Sequence, residues 1–164
     1  MPDTLKSICD QCTQLNNPQL DFLPIDFVRE REIIRRDLLE LIAATRNECC
    51  KTVVVLSGCV LETLLYSFVR SQESYIARRR GVFQFNPEHS LQNYVNIFNR
   101  WFRDVLPNAV ISDAILQYRD LVHVNRELSS VPEICEVAAR EMLRTLDAFL
   151  GELCTLPAVA KTQI

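Results

Sequence analysis

The chain has 164 residues, a length typical of a single domain with one sizeable hydrophobic core. Hydrophobic residues make up 48% of the sequence and charged residues 24%, which excludes a wholly disordered chain and a multi-span membrane protein. The net charge of −3 excludes a protein that coats nucleic acid through phosphate contacts alone. Arginine nevertheless outnumbers lysine by 15 to 3. Because the guanidinium group pairs well with phosphate and carboxylate, the composition still allows a local anion-binding site.

The N-terminal segment contains three prolines and a polar run at residues 14–19, without sustained periodicity. Residues 1–24 are therefore predicted to form a tail or docking arm, with ordered structure beginning near Ile25. Residues 25–155 are predicted to form one helical domain, and residues 156–164 a C-terminal tail.

Seven cysteines and a polar beginning of the chain favour a reducing cytoplasmic location. Cys9 and Cys12 have the spacing of metal ligands, but no second pair of matching spacing accompanies them. We therefore expect no structural metal, no cofactor and no disulfide.

Two helices are predicted in the first half of the domain. Asp26 can cap a helix over residues 27–45, where apolar side chains recur on one face. Residues 51–71 are apolar enough to suggest a membrane span. Glu62 stands in the middle of that run, which favours a central buried helix and no membrane.

Three further helices are predicted after a connection that includes residues 78–81 and 86–87. Ser90 can cap a helix over residues 91–102, and two more helices follow over residues 110–126 and 132–153. Five helices without a convincing strand predict an all-α, antiparallel helical bundle. Seven side chains are expected in its core: Leu38, Leu56, Leu64, Ile115, Leu121, Leu146 and Phe149.

The helix over residues 110–126 has a nitrogen-rich flank. Arg119 and His123 are four residues apart and Arg126 follows three later, so all three share one side of the helix. Because arginine supplies a fixed charge and histidine exchanges a proton near neutral pH, this flank can bind a phosphate. The same spacing fits a structural role, in which His123 satisfies a neighbouring carbonyl and Arg119 pairs with an acid.

Two segments of the sequence resemble motifs of one known family. Residues 118–123, with the sequence YRDLVH, and the following NREL at 125–128 are similar to the "YR(N/D)LVHP-x-RE" segment of small bacterial HEPN-like helical proteins. Residues 53–65, with the sequence VVVLSGCVLETLL, are similar to the "VVLAGS-x-LE-x-LL" helix upstream in the same proteins. The two segments occur in the same order as in those proteins.

The resemblance implies a four- or five-helix HEPN-like bundle, often a homodimer, in a superfamily rich in metal-independent RNA-cleaving toxins and anti-phage effectors. Arg119, Asp120 and His123 match the residues that face the dimer cleft in active members. RNA and an antitoxin or defence-system partner protein are the further partners implied. Since one histidine cannot be base and acid at once, a two-fold dimer would supply both.

Glu62 and Arg126 are supporting or RNA-binding candidates. Glu62 lies beside Gly58 and Tyr66 on its predicted helix, where it either orients Arg119 or reaches the bundle rim and bonds solvent or a backbone amide, since a buried acid needs a partner.

Two functions stay open. One is an RNA-binding or metal-independent endoribonuclease protein of toxin or phage-defence type. The other is a catalytically inactive helical dimerisation or interaction module, because the interval between Arg119 and His123 is shorter than in the usual nuclease motif and Val124 stands where many relatives carry proline.

Overall fold

A computed structural model describes residues 4–24, 26–81, 83–109, 111, 115–117 and 132–156. This part of the chain is all-α: it contains no strand, and residues 115–117 are helical as expected for the helix over 110–126. Seven helices can be followed through it: α1 (Leu5–Gln11), α2 (Thr13–Asn16), α3 (Val28–Arg46), α4 (Cys50–Ser71), α5 (Glu73–Arg80), α6 (Leu91–Phe102) and α7 (Pro132–Cys154).

Helices α3 and α4 form an antiparallel pair. The turn between them is stabilised by Asn47, whose amide Nδ2 donates to the Ala43 carbonyl at 2.8 Å. At the other end of the pair, Arg70 near the end of α4 reaches the beginning of α3, where it contacts Glu30 and the Phe27 ring. Contacts at both ends show that the two helices run in opposite directions along their length.

Helix α4 is the central element. It packs against α3, α5, α6 and α7, which explains why apolar residues occur on most of its circumference. Among the described residues it is the one helix long and apolar enough to cross a membrane by length and composition, and most of its apolar stretch is buried inside the bundle.

Helix α7 runs in the same direction as α4. Burial is the main cause that raises the pKa of the Cys50 thiol at the beginning of α4, and the Glu136 carboxylate near the beginning of α7 is the second. The beginnings of the two helices therefore lie close together. Near the end of α7, the Phe149 ring contacts Phe98, which in turn contacts Phe68 near the end of α4. The bundle is therefore antiparallel for α3 and α4 but not throughout.

The expectation that ordered structure begins near Ile25 is wrong. Residues of α1, α2 and the segment up to residue 23 belong to the hydrophobic core, among them Leu5, Ile8 and Leu15. The Asp147 carboxylate on α7 also accepts backbone hydrogen bonds from Gln14 and Leu15 at 2.8 and 3.0 Å. Helices this short leave too little periodic pattern to be recognised in the sequence.

Two local predictions are also corrected. Helix α3 has Phe27 at its N-cap and no side-chain cap, so Asp26 lies just outside it. The chain turns before the helix, where the Phe27 N–H donates to the Pro24 carbonyl at 3.0 Å. Residues 78–80 belong to helix α5 and not to a connection, and α5 ends where Gly81 takes a positive φ of 84°.

The predicted core is largely confirmed. Leu38, Leu64, Ile115, Leu146 and Phe149 are buried. Leu56 is only half-buried and packs against the core from its edge, while Leu121 lies outside the described residues. The Ser90 cap is confirmed, since its hydroxyl accepts from the Asn93 amide at 3.3 Å.

Candidate functional site

Four of the five predicted site residues, Arg119, Asp120, His123 and Arg126, lie outside the described residues. Glu62 is the exception. It is half-buried on α4 and lines a cavity of about 430 Å³ between α3, α4 and the segment that leads into α6. Both positions expected for Glu62, beside Arg119 or at the rim of the bundle, are compatible with this half-buried location. Its predicted relation to Arg119 stays a prediction.

The cavity combines charged, aromatic and imidazole groups. Both helices of the antiparallel pair contribute charges, and the segment before α6 contributes a histidine. The polar and aromatic side chains of interest on its wall are Arg29, Glu30, Glu62, Tyr66, Arg70 and His89.

Arg70 is held in place by two contacts. Its guanidinium donates to the Glu30 carboxylate at 2.8 Å and lies over the Phe27 ring at 5.0 Å. A cation over an aromatic face is stabilised by the ring quadrupole. The guanidinium is therefore held at the cavity wall. Because it is planar, the N–H groups that Glu30 does not use keep fixed directions relative to one another.

Aromatic rings line the side of the cavity formed by α4 and α6. Tyr66 and Tyr94 meet edge to face at 6.0 Å, and Phe85 contacts both rings. The Tyr94 hydroxyl donates to the Asn86 carbonyl at 3.0 Å. Burial, and then the neighbouring Tyr66 and Glu62, raise the pKa of Tyr94 to about 12, so Tyr94 stays protonated at neutral pH and acts as a structural donor.

His89 is a site residue that the sequence reasoning missed. Its ring packs against Tyr94 at 5.6 Å, and its Nδ1 is buried without a hydrogen-bond partner among the described residues. A buried polar atom of this kind costs free energy unless water or a ligand satisfies it. No local pattern in the sequence marks it, because its contact with Tyr94 depends on tertiary packing.

The arrangement suits binding of a ligand that carries both an anion and hydrogen-bond donors. Arginine forks accept phosphate or carboxylate groups, whereas Glu62 can accept hydrogen bonds. Within the described ranges, no group of three His, Cys, Asp or Glu side chains could hold a metal ion. Cys9 and Cys12 are buried thiols, and burial is the main cause that raises the pKa of Cys12 to about 12. A thiol held protonated in this way is a poor metal ligand.

Comparison of the chain with protein-family models, with curated proteins and with solved structures found no match.

Proposed function

We propose that the chain is a HEPN-like, RNA-binding and metal-independent endoribonuclease protein of toxin or phage-defence type, working in the cytoplasm as a homodimer. The supporting observation is the position of the first HEPN-like segment. Residues 53–65 lie on the central helix α4, and their one charged residue, Glu62, lines a cavity that also holds arginine and histidine side chains.

The proposed chemistry uses the nitrogen-rich flank around Arg119 and His123. Cleavage of RNA by its own 2′-hydroxyl needs a base for that hydroxyl, an acid for the leaving 5′-oxygen, and positive charge on the crowded phosphate. In a two-fold dimer, His123 of each subunit supplies one of the two proton transfers and the paired Arg119 guanidiniums stabilise the phosphate. Asp120 follows Arg119 directly in the sequence, and Arg126, three residues after His123, is available for a neighbouring phosphate.

A catalytically inactive dimerisation or interaction module is the second candidate. Val28 and Leu39 are 55% and 69% exposed, and they lie on the same side of α3 about three turns apart. Exposed Glu32 and Arg35 lie between them on this side, so the face offers a partner both apolar and charged contacts. This observation favours a partner surface without requiring any chemistry.

An RNA cleavage assay in EDTA tests the proposal. We expect the purified protein to cleave single-stranded RNA without added metal and to leave a 2′,3′-cyclic phosphate. His123→Ala should lower the rate by about a hundred- to ten-thousand-fold, and Arg119→Ala should lower it as well. Arg103→Ala, which removes an exposed arginine elsewhere on the chain, is the matched control and should cleave at the rate of the unchanged protein.

Light scattering distinguishes the two candidates further. Both expect a dimer, but only the nuclease expects His123→Ala to keep its melting temperature and dimer mass while losing cleavage. Absence of cleavage, together with a dimer that His123→Ala splits, would establish the interaction module instead.

A further inference from the structure

The cavity presents three different groups in a row along α4. Glu62, Tyr66 and Arg70 follow one another at intervals of four residues, so they lie on one side of the helix. The rise of an α-helix places the first and last of them about 12 Å apart along the axis. A carboxylate, an aromatic ring and a guanidinium therefore succeed one another on a single wall.

The Arg70 end of this wall carries excess positive charge. Arg70 is paired with Glu30 at 2.8 Å, whereas Arg29, directly before Glu30 in the first turn of α3, makes no ion pair among the described residues. Two arginines against one carboxylate leave one net positive charge at this end. An anion is the group that such an end binds, and a phosphate can engage both guanidinium forks.

The opposite end offers hydrogen-bond acceptors. Glu62 and His89 both lie close to Tyr94, since Glu62 contributes to the raised pKa of Tyr94 and His89 packs on its ring. An ionised carboxylate has about four lone-pair sites, so Glu62 can accept from a ligand in addition to its contacts within the protein. The buried Nδ1 of His89 provides a second polar atom that lacks a partner among the described residues.

We propose that this cavity binds one guanine nucleotide. The base lies along Tyr66 with its N1–H and N2–H groups donating to the Glu62 carboxylate, and the phosphate binds Arg29 and Arg70. Among the four RNA bases only guanine presents two adjacent donors on its Watson–Crick edge, which is the pattern that a carboxylate accepts in parallel. The volume of about 430 Å³ lies within the range of small-molecule sites.

This inference concerns the described wall of the cavity, formed by α3, α4 and the segment before α6, and it assigns no role to Arg119 or His123. The nucleotide has two sources, a free mononucleotide or one guanosine of an RNA strand. The chemistry of recognition is the same in both cases, because base and phosphate occupy the same positions.

Calorimetric titration of the full chain with 5′-GMP, AMP, CMP and UMP tests the inference. We expect 5′-GMP to bind and to raise the melting temperature, with the other three about tenfold weaker or more. Inosine 5′-monophosphate, which lacks the 2-amino group, should bind about tenfold more weakly than GMP because it loses one of the two hydrogen bonds to Glu62. Guanosine, which lacks the phosphate, tests the arginine end separately.

Three variants test which end of the cavity binds the base and which end binds the phosphate. Glu62→Gln should weaken GMP binding about tenfold and improve AMP binding, because an amide pairs with adenine through one donor and one acceptor. Arg29→Ala changes an exposed side chain and should keep the fold, while GMP binding falls about tenfold and guanosine binding stays constant. Arg103→Ala, exposed and outside the cavity, is the matched control for lost positive charge.

A short RNA with a single guanosine distinguishes the sources. Tighter binding of this RNA than of GMP would assign the site to a strand, and equal or weaker binding would assign it to the free nucleotide. Equal affinity for all four nucleotides, no binding of any, or binding insensitive to both Glu62→Gln and Arg29→Ala would overturn the inference. Arg119→Ala and His123→Ala should keep GMP binding, so failure of the cleavage proposal and failure of this one are distinguishable.

Discussion

Two neighbouring regions of the α4–α6 contact have opposite character. At one, the Phe68, Phe98 and Phe102 rings pack with centroids 4.8–5.6 Å apart, and all three side chains are fully buried. At the other, Tyr66 and Tyr94 meet the cavity that holds Glu62 and His89. Phe68 lies two residues after Tyr66 on α4, while Phe98 and Phe102 lie about one and two helical turns after Tyr94 on α6.

The difference teaches how one helix pair serves both stability and chemistry. The phenylalanine region excludes water and supplies hydrophobic free energy, whereas the tyrosine region brings polar groups, among them Glu62 and His89, to the wall of a cavity. We therefore expect changes in the first region to unfold the chain, and changes in the second to alter binding and pH response at small cost. The predictions below test this separation, from the largest expected effect to the smallest.

Phe98→Ala should have the largest effect. Its ring contacts Phe68, Phe102 and Phe149, and the cavity left by truncation should lower the free energy of unfolding by about 3–5 kcal/mol. Leu146→Ala, in the buried face of α7, should cost about 2–5 kcal/mol. Urea denaturation measures both, and a loss below about 1 kcal/mol for Phe98→Ala would contradict the role given to this region.

Asp147→Ala tests whether a polar group outside the cavity serves structure alone. Its carboxylate accepts from the Gln14 and Leu15 amides, and loss of these hydrogen bonds should cost about 1.5–3 kcal/mol. Hydrogen exchange should show faster exchange in residues 4–24, with GMP binding unchanged. Asp104→Ala, at an exposed position, is the control, and equal effects of the two substitutions would exclude the proposed anchoring.

Ser90→Ala should affect both regions slightly. It removes the cap of α6, which is worth about 1 kcal/mol of stability. Because His89 directly precedes this cap, its ring should lose its fixed position against Tyr94. A fall in GMP affinity together with the small loss of stability is the expected result, and an unchanged affinity would separate His89 from the nucleotide site.

Tyr94→Phe should have the smallest effect at neutral pH. It removes one hydrogen bond, to the Asn86 carbonyl, at a cost of about 0.5–1.5 kcal/mol. Burial, then Tyr66 and Glu62, raise the pKa of Tyr94 from 10.0 to about 12, so between these values the folded state binds more protons than the unfolded state. The contribution of Tyr94 is therefore present below pH 10.0 and lost as pH rises through about 12.

Unfolding measurements at pH 8 and at pH 11 compare the two proteins. The stability difference between the unchanged chain and Tyr94→Phe should shrink or reverse at the higher pH. A difference that is constant with pH would show that Tyr94 titrates as an exposed tyrosine.

The long helices were predictable because their periodic apolar pattern continues over several turns. The expected limits of the helix over residues 91–102 coincide with α6. Those of α3 differ by one residue at both ends, those of α4 by one at its start and those of α7 by one at its end. The Ser90 cap was predictable because its signal is local: one hydroxyl opposite one backbone amide three residues later.

The short N-terminal helices and His89 were not predictable for a different reason. Seven and four residues, the lengths of α1 and α2, are too few for a periodic pattern, and helices this short form only when packed on others. His89 resembles any polar loop residue in the sequence. Its proximity to Tyr94 and to the cavity depends on how α6 packs against α4.

Local interactions let the sequence alone determine the all-α class, the course of the long helices and the central place of α4, since periodicity, capping and apolar length act between residues close in the chain. Tertiary packing decided that residues 5–23 join the core, that α7 runs parallel to α4, and that Glu62, Arg70 and His89 line one cavity. These features depend on side chains that are distant in sequence and meet only when the helices bury their apolar faces against one another.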